Sequence, residues 1–217
     1  MVVLTLTDIH GSGRYLEACA RALAQADLVI IAGDITNFGG RREAIPIIDK
    51  IRSYNEAVIA VTGNCDDPEI EDYLDAEGLN IGGRSRVIGG ICFAGLGGSL
   101  PGPAPTPNTH TEEELAVLLE QAAVGLTDPF VLVSHQPAVN TRTDLALGVR
   151  HVGSASVRSF IERTAPLVCF SGHIHESIGT DLIGRTRLVN PGPFRSGKFA
   201  KTNFSSDGAV DIELGQL

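Results

Sequence analysis

Histidine, aspartate and asparagine recur at a set of short polar breaks in this chain: Asp8 and His10 in TLTDIHG, Asp34 in IIAGDITN, Asn64 in AVTGNCDD, His135 in LVSHQP, and His173 and His175 in CFSGHIHE. The chain has six histidines, and His10, His135, His173 and His175 all stand in these breaks. Any one of them alone reads as an ordinary structural residue; their joint recurrence points to a metal site. Imidazole nitrogen and carboxylate oxygen suit divalent ions such as Mn, Fe or Zn, whereas magnesium uses few histidines and a thiolate site uses cysteines. Seven such side chains are too many for one tetrahedral ion, but they fill two sites if one carboxylate bridges, and Asp34 is the natural bridge. Two ions about 3.5 to 4 Å apart can hold a phosphoryl group and a hydroxide in line.

The elements that position these residues follow from the apolar pattern. Runs of β-branched and apolar residues at Val2–Thr7, Leu28–Ala32, Ala57–Thr62, Val87–Gly95, Phe130–Ser134 and Leu167–Ser171 read as strands. Between them, Tyr15–Ala26, Glu43–Tyr54, Pro68–Gly78, Thr111–Ala123 and Ser154–Thr164 carry apolar residues at helical spacing. Alternation of strands and helices makes a layered α/β fold, and each polar break falls just past the carboxyl end of a strand, where open α/β sheets bind ligands. The last forty or so residues, with short runs around Gly-Arg and Asp-Gly turns, read as antiparallel strands added to the sheet or packed on it. One Pro- and Gly-dense segment, Gly95–His110, reads as a surface loop, either inert or a flap over a site.

Composition narrows the function classes. The 217 residues, 43% hydrophobic and 20% charged, describe an ordinary globular chain expected to form one domain over residues 1–217. No apolar run reaches the roughly 20 residues of a membrane span, and the opening MVVLTLTDIHG has no basic start, so the cytoplasm is the expected location and a membrane partner is not. Cys19, Cys65, Cys92 and Cys169 form no C-x-x-C pair. The formal charge of −9 opposes polymeric nucleic acid and requires bound cations or a local basic cluster for a phosphorylated substrate. Homo-oligomerisation stays open.

The blocks D-I-H, G-D-I-T-N, G-N-C-D, S-H and G-H-I-H, in this order over residues 8 to 175, resemble the signature of the calcineurin-like metallophosphoesterases, and NPGPFRSG resembles the segment that follows in compact prokaryotic members. The resemblance implies a four-layer αββα sandwich of two mixed sheets. It implies two divalent metal ions, manganese first with iron, zinc or nickel as alternatives: Asp8, His10, Asp34 and His175 on one, Asp34, Asn64, His135 and His173 on the other. It also implies attack on phosphorus by a metal-bridging hydroxide, with Asn64 and His135 beside the reacting group. The substrate class implied is a phosphodiester or a small organic phosphate; a phosphomonoesterase and a non-catalytic interaction scaffold are the alternatives.

Two positions depart from the family pattern. Cys65 stands where many members carry a histidine that protonates the leaving oxygen, and Asn37 stands where they carry the aspartate that steers it. Cys65 is expected to fill space beside the site, since a thiol near neutral pH is a poor substitute for imidazole as proton donor. His151, just before a helix whose expected cap is Ser154, is the candidate to contact substrate phosphate or leaving group, because helix amino termini attract phosphate. Arg142 and Arg150 are further candidates from the same loop, with solvent exposure the plainer expectation. His110 is expected to be exposed, and Asp66 and Glu176 to support the site without binding metal.

Overall fold

In the computed structural model, which describes residues 1–217, the strands in chain order are β1 (Val2–Leu6), β2 (Leu28–Ala32), β3 (Val58–Val61), β4 (Ser85–Ile88), β5 (Ile91–Leu96), β6 (Phe130–Ser134), β7 (Leu145–Ala146), β8 (Arg150–His151), β9 (Val168–Phe170), β10 (Gly179–Ile183), β11 (Thr186–Asn190), β12 (Lys198–Phe204) and β13 (Val210–Gln216). The helices are α1 (Ala20–Gln25), α2 (Arg41–Arg52), α3 (Glu69–Ala76), α4 (Glu112–Ala122) and α5 (Ala155–Thr164). A five-stranded sheet runs β13-β12-β1-β2-β3, a six-stranded sheet runs β10-β11-β9-β6-β5-β4, and β7 and β8 form a separate hairpin. In the first sheet β1, β2 and β3 pair in parallel while β12 and β13 are antiparallel along one side; in the second β11, β9, β6 and β5 pair in parallel, with β10 and β4 antiparallel at the two edges.

Three apolar cores separate four layers, as expected for two sheets flanked by helices. Alternation along each strand sends one set of side chains to each core. In β2, Leu28, Ile30 and Ala32 face the space between the sheets, while Val29 and Ile31 face the layer of α1, α2 and α3. In β6, Val131 and Val133 face the other sheet, while Phe130 and Leu132 meet the layer of α4 and α5. Burial on both faces is why these strands read as unbroken apolar runs. No helix is long and apolar enough to cross a membrane.

Two elements differ from the sequence reading. The run Val87–Gly95 is a hairpin rather than one strand: Gly89 and Gly90 adopt φ of 57° and 83° and turn β4 back onto β5. The first helix is shorter than its apolar spacing suggests, with a 3-10 turn at Gly13–Tyr15 before α1. Its buried residues Leu16 and Cys19 precede α1 and still reach the core. The antiparallel end is as expected, but divided: β10 and β11 extend one sheet, β12 and β13 the other.

Candidate metal centre

Each polar break is a strand leaving its sheet. Asp8 and His10 follow β1, Asp34 follows β2, Asn64 follows β3, His135 follows β6, and His173 and His175 follow β9. To turn their side chains inward at one rim, Asp8, His10, Asp34 and His173 adopt left-handed backbone, with φ of 52°, 48°, 50° and 68°. For residues with a Cβ this conformation is strained by about 1 to 3 kcal/mol each, and it clusters where geometry serves a site. The glycines of two motifs admit the acids: a Cβ on Gly63 would overlap Asp34 Oδ1, and a Cβ on Gly172 would overlap Thr7 Oγ1 and crowd Asp8 Oδ2. Asp66 locks the loops after β2 and β3 together by accepting from Gly63 N (2.8 Å), Ile35 N (3.1 Å) and Thr36 N (2.8 Å). Burial and the charge of Asp34 push the Asp66 carboxyl up to about 6.

The side chains meet in two overlapping groups. In the first, His175 Nε2 lies 3.1 Å from His10 Nε2 and 3.2 Å from Asp8 Oδ1, and His10 Nε2 lies 3.6 Å from Asp34 Oδ2. In the second, His135 Nε2 lies 3.1 Å from Asn64 Oδ1 and 3.5 Å from Asp34 Oδ1. Asp34 thus turns one oxygen to each group, while Cys65 N donates to its Oδ1 at 2.8 Å. His173 joins by ring packing on His135, with centroids 5.3 Å apart, and its backbone N–H reaches both Asp8 oxygens at 3.2 Å.

The hydrogen bonds show that the second group fits a cation. His135 donates its Nδ1–H to the Ala32 carbonyl at 2.9 Å, since a carbonyl can only accept. In the neutral ring, Nε2 then presents a lone pair to two more acceptors, Asn64 Oδ1 and Asp34 Oδ1. Three acceptors facing one point need a proton or a metal ion between them. In the protein alone a proton serves: burial opposes the charge on His135, but Asp34 and Asp8 outweigh it and push the imidazole up to about 9. Burial likewise opposes charge on Asp34 and Asp8, yet His135 for the one and His175 for the other hold both carboxyls below the usual range. His173 is pushed down to about 4 by burial and by its neighbour His135, which keeps its ring neutral and able to donate a lone pair.

Arg195, in the segment after β11, had no role in the sequence reading. Its Nη2 lies 3.0 Å from His175 Nδ1, and because a guanidinium only donates, that nitrogen is unprotonated and Nε2 carries the hydrogen. Position 195 lay inside a recognised segment, NPGPFRSG, but carried no spacing signal of its own. Its placement comes from the hydrogen bond of Phe194 N to Thr7 O at 2.8 Å, which lays the segment along the loop after β1.

Beside the His/Asp cluster opens a cavity of 720 Å³, lined among others by Asn64, His173 and Ile174, by the hairpin residues Arg150 and His151, and by Leu100–Ala104. The Pro/Gly-dense loop therefore forms a wall of the cavity. His151 also lines the cavity, but for a reason other than the one expected. Ser154 does cap α5, accepting from Val157 N at 3.1 Å, yet the first amides of that helix are taken by Glu112, whose carboxylate accepts from Ala155 N (2.8 Å) and Ser156 N (3.0 Å). That helix start is not free for phosphate, and His151 reaches the cavity from the β7–β8 hairpin. Arg142 is exposed and does not line the cavity. His110 is half-buried and also away from it, and Glu176 holds the hairpin tip by accepting from Leu147 N at 2.7 Å. Cys65 Sγ lies within 4.8 Å of ligating atoms of His10 and Asp34, and burial together with the Asp34 charge pushes its thiol well up, so it remains protonated.

This combination of two sheets, four layers and a His/Asp rim defines a metallophosphoesterase fold. The chain belongs to the calcineurin-like phosphoesterase superfamily, whose domain model matches residues 1–206. It is 40% identical to the uncharacterized protein MJ1162 of Methanocaldococcus jannaschii over 198 residues, 89% of this chain and 88% of that one. The cAMP/cGMP dual specificity phosphodiesterase MT0825 of Mycobacterium tuberculosis is 25% identical over 182 residues, 79% of this chain and 56% of its own length. In fold, the chain is similar to the protein TT1561 of Thermus thermophilus, with a TM-score of 0.73 at 16% identity over 99% of this chain and 98% of that one.

Proposed function

We propose that the protein is a dinuclear metal-dependent phosphoesterase acting on phosphodiesters or small organic phosphates, phosphodiesters first. The observation that carries this reading is the acceptor-only convergence of His135 Nε2, Asn64 Oδ1 and Asp34 Oδ1, next to the group of His10, His175 and Asp8. Asp8, His10, Asp34 and His175 would hold one ion, and Asp34, Asn64, His135 and His173 the other, with manganese first among the metals. When bound, the ions supply an activated water and neutralise charge on the phosphoryl oxygens.

The chain's own residues do the rest. Asp34 fixes the separation of the two groups, and Cys65 N–H fixes Asp34. The Ala32 carbonyl holds His135 in the tautomer whose Nε2 faces the site. The ester group has the adjoining cavity to occupy, with His151 on its wall. A basic groove for a polymer is lacking along this wall, where Arg150 is the one cationic side chain among the lining residues, so a small substrate is favoured.

The test is hydrolysis of bis(p-nitrophenyl) phosphate against p-nitrophenyl phosphate by metal-stripped protein, with and without manganese, nickel or zinc. Metal-dependent turnover of the diester in preference to the monoester is expected. Absence of turnover on either ester with every metal would overturn the reading.

A further inference from the structure

The proposed reaction needs a proton for the departing oxygen, and in that reading the imidazoles of the ligand cluster are committed to the ions. Cys65 stays a buried thiol raised far above neutrality, and Asn37 is exposed and has no acidic proton. The cavity wall, however, carries a second constellation outside the ligand set. Asp144 immediately precedes β7 and is fully buried. Its carboxylate accepts from Thr141 N (2.8 Å), Gly153 N (2.9 Å), Asn140 N (3.2 Å) and Thr141 Oγ1 (3.3 Å), and His151 Nδ1 lies 2.7 Å from its Oδ1. No arginine or lysine touches it among these contacts.

Three backbone amides from two loops hold this carboxylate in one orientation, so the His151 ring is fixed in turn. A carboxylate accepts; His151 Nδ1 therefore carries a hydrogen, and Nε2 is the nitrogen left to exchange protons. The His151 side chain is 39% exposed, and it lines the same cavity as Asn64 and His173. The register Leu145 opposite His151 across the hairpin brings the residue after Asp144 next to the histidine. A buried acid that orients an imidazole on the wall of a candidate substrate cavity, leaving its far nitrogen free, has the arrangement required of a general acid.

We propose that Asp144 and His151 form the proton-delivery dyad of this site, His151 as catalytic acid and Asp144 as its positioning residue. The proposal rests on the phosphodiesterase reading. As water oxygen bonds to phosphorus and the bond from phosphorus to the ester oxygen breaks, the electron pair of that bond leaves with the ester oxygen, which takes the proton from His151 Nε2 and departs as an alcohol. The proton released by the attacking water restores Nε2–H through solvent. Asp144 keeps its charge throughout and holds the tautomer.

The test compares wild type, His151→Ala and Asp144→Asn, each metal-loaded, on phosphodiesters that differ only in the acidity of the leaving alcohol. For an alkyl leaving group, His151→Ala lowers kcat about 10² to 10⁴-fold, and for p-nitrophenolate, which departs without a proton, about threefold or less. His151 is partly exposed, so its alanine variant is expected to fold, and circular dichroism checks this. Asp144→Asn gives a smaller loss with the same dependence on leaving group. Independently of turnover, proton NMR of the metal-free protein shows a downfield Nδ1–H resonance that vanishes in His151→Ala and moves upfield in Asp144→Asn. Equal loss on all leaving groups, no loss on any, or absence of that resonance in a folded wild type overturns the dyad. A wild type that hydrolyses no ester overturns the phosphodiesterase reading instead, while the resonance still reports the hydrogen bond.

Discussion

Replacing Asp34 tests whether a single carboxylate serves two ions. Asp34 turns Oδ2 toward His10 and Oδ1 toward His135, so Asp34→Ala removes an oxygen from both groups, whereas His173→Ala touches only the group around His135. A ligand that binds only the folded state at 100 times its dissociation constant stabilises it by about 2.7 kcal/mol. Two such sites add about 5 kcal/mol, and at about 2 to 4 °C per kcal/mol for a chain of this size, Tm rises by about 10 to 20 °C. With one site gone, about half remains. Scanning calorimetry of chelator-stripped protein, with and without manganese, reads these shifts against each variant's own metal-free Tm, and titration calorimetry counts the ions. Wild type takes up two ions with the full shift, His173→Ala retains one, and Asp34→Ala shows neither a second ion nor an appreciable shift. A wild type that takes up one ion, or an Asp34→Ala variant that keeps both, refutes the shared-acid geometry.

Removing Arg195 should strengthen metal uptake. Its contact at 3.0 Å keeps His175 Nδ1 unprotonated, whereas a metal on Nε2 needs the hydrogen on Nδ1, so Arg195→Ala tightens binding about fivefold, the equivalent of one exposed hydrogen bond of about 1 kcal/mol, as read by titration calorimetry. Looser binding by the variant would contradict this. Cys65→Ala leaves kcat within about threefold of wild type, since a thiol raised by burial and Asp34 is neither nucleophile nor proton donor at neutral pH; a loss of about a hundredfold in steady-state assays would count against that. Glu112→Ala removes the carboxylate that accepts from Ser154 Oγ, Ala155 N and Ser156 N, and lowers stability by about 2 kcal/mol in urea denaturation. Burial opposes charge on Glu112 but these donors outweigh it and hold its carboxyl below the usual range; the stabilisation is therefore present above the unfolded value near 4.5 and fades as pH falls through the lower folded value. The variant's stability should accordingly fall less steeply than wild type below pH 5.

The seven side chains were legible because each sits one to four residues past an apolar run, and because a glycine beside Asn64 and His173 marks where the backbone must let an acid approach. The layered fold was legible for a related reason: strands buried on both faces leave unbroken apolar segments. What the sequence concealed depends on partners far along the chain. Glu112 occupies the start of α5 from about forty residues upstream, so the helix cap at Ser154 was readable but the blocked amides were not. Asp144 stands in no motif; its hold on His151 is made by loop amides that only the folded chain brings together. The run Val87–Gly95 misled because apolar residues on both sides of Gly89 and Gly90 look continuous when the turn between them is ignored.

The left-handed backbone at Asp8, His10, Asp34 and His173 bears on how such a protein would age if its chemistry were no longer selected. Glycine adopts this backbone without a steric cost, so the side chains at these positions are kept against a local preference. A lineage that kept the fold only to bind other proteins would relax these four positions early, gaining stability as it did so. Loss of these side chains in descendants of this chain would therefore mark a site no longer selected, without any assay.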